Sequence, residues 1–474
     1  MNTRMGVSGV FLAATLAACA AVPPTAAPSV PTPRAYASAH ELVSLRQRVT
    51  LENRLRSAWW TLFGSGRLDG LIRTVVAGNQ DLRAARARVA AARAAVQAGR
   101  GAGLPQVALD AQAGRQEYGV ALFGPSQFSI PPFNAYEVGP SVTWTPDLFG
   151  AQRNQVARLQ ALADYERDEL EAADLTLTGE AVAVSLDMAE ASSEMTALRR
   201  IVAADQQTLH LVQAARAIGT ATEVAVLSAQ TQRLADSARL APLARRVAED
   251  SHALSVLAGR LPADWTPPRL ALSEFRVPSD LPLALPSQLL RNRPDILAAQ
   301  ANLKAAAAAV GLATAHLYPT VTLSANMLAE ALTPAALFGP GAGAYSLAAG
   351  LAQPLFSGGT LSAERREAQA AYRAAAARYR QTVLDAFGQV ATALTSLAHD
   401  DAAVSAQRSA YRAARRTARL AVTAYRLGGI GLLRVQDAQR AAAAARLGLV
   451  RAEGRRAGDA ARLFVAAGGA RLAA

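Results

Sequence analysis

The sequence predicts an α+β membrane protein: a trimeric twelve-stranded β-barrel, four strands per chain, continued by a long α-helical barrel and built from an internal duplication. Three observations carry this. Four runs of about ten residues alternate apolar and polar side chains, the length at which a tilted strand crosses a membrane as part of a barrel. Two stretches, Ala151 to Ile218 and Thr360 to Leu427, hold no proline and one glycine each. At 1.5 Å per residue each reaches about 100 Å, against about 30 Å for a soluble domain. Finally, the chain repeats itself at an offset of 214 to 215 residues.

Composition agrees. The 474 residues are 51% hydrophobic, 18% charged and 5% aromatic, with a net charge of +13, five His and one Cys. That apolar content excludes a disordered chain, and one cysteine excludes an internal disulfide or a multi-Cys zinc site. A soluble chain of this length would hold about three domains. Ala and Leu dominate the apolar fraction, which favours closely packed helices over a large aromatic core.

The N-terminus reads as an export signal over residues 1–18: Arg4, then an uncharged run from Met5 to Ala18, too short to span a membrane as a helix. Leu16-Ala17-Ala18-Cys19 resembles a bacterial lipobox, which makes Cys19 the lipidated first residue of the mature chain, and Ala20 supplies no aspartate signal for inner-membrane retention. Five prolines between Ala20 and Ala39 give an extended tether. The expected address is the outer membrane of a Gram-negative cell, lipid-anchored through the 19–58 segment. No later segment reaches 18 uncharged apolar residues, Ala305 to Leu317 being the best, so a membrane span must be a β-barrel.

The duplication is read from matched pieces in matched order. Ala121-Leu122-Phe123-Gly124-Pro125 recurs unchanged as Ala336-Leu337-Phe338-Gly339-Pro340. Leu104-Pro105-Gln106-Val107 parallels Tyr318-Pro319-Thr320-Val321, Asn79-Gln80-Asp81-Leu82 parallels Arg293-Pro294-Asp295-Ile296, and Gly219 parallels Gly428. The halves are 59–265 and 286–474, joined by a 266–285 linker. Each opens with a helix (about Leu68 to Gly99, and Pro286 to Ala315) that leads through a proline into a strand. Val107, Leu109, Ala111 and Ala113 alternate with Gln106, Asp110 and Gln112, and Tyr136, Val138, Val142 and Trp144 with Glu137, Ser141 and Thr143. Val321, Leu323, Ala325 and Met327, then Tyr345, Leu347, Ala349 and Leu351, repeat the pattern. The long helical stretch follows, then a turn at Gly219 or Gly428 and a returning helix, kinked at Pro242 in the first half.

Four strands from one chain cannot close a barrel, and open edges are not tolerated in lipid, so chains must combine; three would supply twelve strands and twelve long helical staves. Tyr118, Phe123, Phe128, Phe133, Tyr136, Trp144 and Phe149 cluster where a membrane interface would fall, although a hairpin core would also gather some of them.

Trp59-Trp60-Thr61-Leu62-Phe63, Asn79-Gln80-Asp81-Leu82, Arg291-Asn292-Arg293-Pro294-Asp295, Gln353-Pro354-Leu355-Phe356-Ser357-Gly358-Gly359 and Tyr425-Arg426-Leu427-Gly428 with Asp437-Ala438-Gln439 together resemble the outer-membrane factor family of TolC-like and NodT-type efflux lipoproteins. The resemblance covers nearly all of the mature chain. It implies a homotrimeric tunnel that takes small molecules, drugs or toxic organics, from a periplasmic adaptor and an inner-membrane RND-type transporter to the exterior, with no catalysis, cofactor or metal. It also implies that the helical tips, 217–227 and 427–437, form the periplasmic gate and adaptor-docking surface, with Gly219, Thr222, Glu223, Tyr425, Gly428, Gly429, Arg434 and Asp437 as the residues concerned. The family often carries two acidic residues three apart after the second tip. Here Asp437 keeps the second, and Arg434 stands at the first, so cation binding is not carried over.

Between Asp164 and Glu194 ten acidic residues face one basic residue, Arg167, and Glu180, Asp187 and Glu194 recur every seven residues on one helical face. Two readings stay open: an acidic stripe in the lumen, or a solvated face or set of ion pairs with basic neighbours such as Arg373, Arg378 and Arg380. Nucleic-acid binding is disfavoured despite the positive charge, since the arginines are spread along helices without interleaved aromatics. A hydrolase is disfavoured because the five histidines fall singly, with no His-Glu-x-x-His or Gly-x-Ser-x-Gly. Metal-ion efflux and type I protein secretion remain as alternatives within the channel class, and a periplasmic helical scaffold outside it.

Overall fold

A computed structural model describes residues 48–51, 58–117, 131–283 and 286–468. The elements are β1 (Arg48–Leu51), α1 (Gly66–Gly78), α2 (Gln80–Ala102), β2 (Gln106–Gln116), β3 (Phe133–Trp144), α3 (Ala151–Ala217), α4 (Glu223–Ala238), α5 (Leu240–Leu257), β4 (Asp280–Leu283), α6 (Pro286–Asn292), α7 (Pro294–Ala315), β5 (Thr320–Ala331), β6 (Gly343–Ala352), α8 (Thr360–Arg426) and α9 (Leu432–Ala466). Short 3-10 turns at Trp59–Phe63, Leu272–Glu274 and Pro334–Phe338 complete the described elements. The signal segment, Cys19 and the tether lie outside the described residues, as do Tyr118, Phe123 and Phe128.

Of the described residues, one compact unit holds those within Arg88–Glu166 and Ala299–Tyr379, and a second those within Ser29–Ala87, Arg167–Ala298 and Arg380–Ala474. In the first unit the four long strands form one antiparallel sheet in the order β2-β3-β5-β6. The two hairpins therefore join through β3 and β5. The β3–β5 ladder passes from Val138 to Ser141 without pairing Gly139 and Pro140. Proline has no N–H to give, and at Gly139 a Cβ would overlap the Met327 carbonyl. Beside the sheet, Phe149 stacks on Tyr318 with centroids 5.1 Å apart. Helix α7 is long and apolar enough to cross a membrane by composition. It is packed instead, with Leu303 buried against Ala375 and Ala376 of α8.

In the second unit, Trp59, Phe63, Phe275 and Phe464 form an aromatic core. Trp59 and Phe63 lie 6.0 and 6.1 Å from Phe464, and Phe275 lies 6.1 Å from Phe63. Trp60 donates its indole N–H to Asp69 at 3.0 Å, which with the Arg73 guanidinium holds that carboxyl below its usual range against the opposing effect of burial. Strands β1 and β4 pair in parallel.

The helix expected at the start of each half is two helices in both. The first breaks at Asn79, which caps α2 by accepting from the Leu82 N–H at 2.9 Å and donates to the Leu257 carbonyl at 3.0 Å. The second breaks at Arg293, whose guanidinium bonds Asp295 at 2.9 Å and the Ala466 carbonyl at 2.8 Å. Asn79 and Arg293 are thus equivalent, and each ties its break to the end of the returning helix of its own half. The returning helix of the first half also breaks, between α4 and α5 at Arg239. The proline ring at 242 conflicts with the carbonyl four residues earlier, Ala238, so the interruption falls upstream of Pro242. Helix α9 has no proline and runs unbroken over 35 residues.

Candidate functional site

The register assigns each side chain of the sheet to a face, because directly paired residues point the same way. Val107 pairs with Val142 and Ala111 with Val138. Val142 pairs with Ala325 and Trp144 with Leu323. Ala325 pairs with Leu347 and Met327 with Tyr345. All four apolar series therefore share one face. The opposite face carries Gln106, Asp110, Gln112, Glu137, Ser141, Thr143, Ser324, Asn326 and Ser346. Among the described residues the apolar face is uncovered: Leu109 is 75% and Leu347 77% exposed. Strands β2 and β6 each pair on one side only among the described residues. A sheet with one lipid-compatible face, one polar face and two open edges is a segment of a barrel wall.

Both helical tips are built alike. At the first, the Gly219 N–H bonds the Arg216 carbonyl at 2.9 Å and the Thr220 N–H the Ala215 carbonyl at 2.9 Å. At the second, the Gly428 N–H bonds the Tyr425 carbonyl at 3.0 Å and the Gly429 N–H the Ala424 carbonyl at 2.8 Å. These are two copies of the Schellman helix end, which needs a left-handed residue at its centre. Gly219 (φ 79°) and Gly428 (φ 76°) supply it. Thr222 caps α4 by accepting from the Ala225 N–H at 3.3 Å, and Glu223 pairs with Arg216. The corresponding Gly431 caps α9 with no side chain.

Arg434 and Asp437 are both exposed, and among the described residues no ion pair joins them. The tips also expose large apolar side chains, all but Leu427 and Tyr425 outside the quoted motifs: Ile218, Val224 and Leu227 at the first, Leu427 and Leu433 at the second, beside Tyr425. Their signal in the sequence is apolar residues flanking a turn, where polar ones are the rule. Under the first tip, Leu209, Val212 and Val226 pack α3 against α4.

The acidic face of α3 is not uniform. Glu180 and Asp187 are exposed, while Glu194 is buried. The ion pairs of Asp187 and Glu194 run to α5 and α9 rather than to Arg373, Arg378 or Arg380. Arg246 of α5 reaches Asp187 at 3.2 Å, and Arg451 of α9 reaches Glu194 at 2.8 Å. Further along, Arg440 of α9 reaches Asp205 at 2.8 Å. Glu190 sits between these pairs, against Gly454 of α9 at a point any Cβ would occupy. Burial, and then the neighbouring Glu194 charge, push its carboxyl up to about 7.

A sheet of this kind belongs to a channel-forming outer-membrane protein. Comparison with known proteins gives the family. The family described as outer membrane efflux protein matches residues 71–260 and 285–469, and the chain belongs to it. It is 31% identical over 392 residues to the pyoverdine export outer membrane protein OpmQ of Pseudomonas putida, covering 81% of each. It is 28% identical over 446 residues to the toluene efflux pump outer membrane protein TtgF of Pseudomonas putida, covering 91% of this chain and 90% of TtgF. The solved outer-membrane channel OprN has a TM-score of 0.83 at 27% identity, covering 94% of this chain and 99% of that one. The protein is an outer-membrane efflux channel that extends into the periplasm.

Proposed function

We propose that three copies of the chain close into the outer-membrane duct of a tripartite pump that expels small organic molecules, the class of cargo named in TtgF. The observation that carries this is the four-stranded sheet, whose apolar face is uncovered and whose two edges are unpaired among the described residues. Three such sheets supply the twelve strands of a closed wall, whereas one sheet would leave backbone groups unsatisfied in lipid. The apolar side chains at the two tips support docking of a periplasmic adaptor there, which would connect the duct to an inner-membrane RND-type transporter. In the same reading Cys19 carries the lipid anchor, and residues 59–265 and 286–474 are the two repeats of the channel. Glu180 remains a candidate for a lumen stripe, while Asp187 is met by Arg246 and Glu194 by Arg451.

The purified protein is expected to form pores in planar bilayers, and loss of its gene to sensitise cells to apolar organic compounds. With Arg434 and Asp437 contributing to the gate, Arg434→Asp shifts single-channel conductance and raises cation selectivity. Absence of pores would overturn the channel reading. Unchanged conductance and selectivity in Arg434→Asp would remove Arg434 from the constriction and leave the rest standing.

A further inference from the structure

A cavity of about 450 Å³ lies among α3, α8, α9 and the segment following α5. Three arginines line it: Arg200 from α3, Arg415 from α8 and Arg446 from α9. Among the described residues none of the three has an ion pair, whereas three other arginines of α8 and α9 do. Arg440 is bound to Asp205, Arg451 to Glu194 and Arg408 to Glu453.

The contrast follows from the helix register. Arg440 and Arg451 are eleven residues apart on α9, and their partners Asp205 and Glu194 are eleven apart on α3. This antiparallel register puts Arg446 opposite positions 199 and 200. An acid there would neutralise it, but the sequence has Arg199 and Arg200. Like charges set opposite one another repel unless an anion lies between them. Arg446 is further held in place over the Tyr411 ring, 5.5 Å from its centroid.

The remaining lining gives the ligand its shape. Leu270 and Val450 are apolar wall, and Ser192 and Ser193 add hydroxyls. The volume falls within the range of ligand pockets, about 300 to 1,000 Å³, and exceeds what a bare inorganic anion fills. We propose that this cavity binds a small amphipathic organic anion, with a carboxylate held by the Arg200, Arg415 and Arg446 guanidinium groups and an apolar body against Leu270, Val450 and Tyr411. Guanidinium forks match carboxylates in geometry and charge.

The test uses the full-length protein in detergent and equilibrium dialysis with 2-naphthoate, beside its uncharged isostere 2-naphthamide. Naphthoate is expected to bind saturably and naphthamide at least about tenfold more weakly, the loss of one charge-assisted contact. Arg446→Gln and Arg200→Gln are each expected to weaken naphthoate by a similar factor. Arg412→Gln, on the same helix as Arg415 but outside the cavity, is expected to leave it unchanged. Arg200 is exposed, so its variant keeps the test valid if Arg446→Gln misfolds. Equal binding of the two probes, no saturation, or full binding in the Arg200→Gln variant would overturn the proposal.

Discussion

Arg451 of α9 reaches across to Glu194 of α3 at 2.8 Å, and the two side chains differ sharply in exposure, 47% against 4%. The carboxylate is the buried partner, so truncating the arginine strands a charge. Arg451→Met is expected to destabilise the protein by about 2 kcal/mol, the cost of losing a hydrogen bond to a buried charged group. Arg408 and Glu453 form a more exposed pair, and Arg408→Met is expected to cost under about 1 kcal/mol. Thermal unfolding of the detergent-solubilised protein checks the order; equal effects would show that Glu194 is hydrated.

Glu190 gives stability a pH dependence. Its folded carboxyl titrates at about 7 against an ordinary 4.5, because of burial, the Glu194 charge and, further down, Asp187, with Arg246 opposing. A raised carboxyl favours the protonated folded form. Its contribution is complete below about pH 4.5 and is lost as pH rises through about 7. Glu190→Gln, which stays uncharged, is therefore expected to gain in melting temperature relative to the unmodified protein as pH climbs from about 5 to about 8. A difference that does not change with pH would contradict this assignment.

The two tip glycines provide a test confined to the backbone. At Gly219 and Gly428 an added Cβ meets nothing within 4 Å, yet φ is 79° and 76°. Alanine at either position is expected to cost about 1 kcal/mol from left-handed backbone strain alone. Hydrogen exchange should quicken at the substituted turn and stay unchanged at the other. Spread of the effect to both turns would show that the tips are coupled.

The sheet is legible in the sequence because strand alternation has a short period and the hairpins are local. Val107 to Ala113 and Leu347 to Leu351 fall on the apolar face that alternation assigns them. The long helices are legible because no proline breaks either stretch. The breaks at Asn79 and Arg293 are not, because each is held by a bond to a carbonyl far along the chain, Leu257 and Ala466. The partners of the acidic face escape the sequence for the same reason. Composition offers basic residues such as Arg373 as candidates, whereas Asp187 and Glu194 are met by Arg246 and Arg451, placed there by helix packing that a one-dimensional reading does not contain. At the tips, the glycines announce the turns, but the exposure of Ile218 and Leu427 requires the fold.

In the proposed assembly the four-stranded sheet is one third of a closed wall, and native mass spectrometry of the protein extracted from outer membranes counts the thirds. An assembly of three copies is expected, supplying twelve strands from the four in each chain. A stable monomer that retains the sheet would contradict the trimeric wall, because both edge strands and the apolar face would then have no partner.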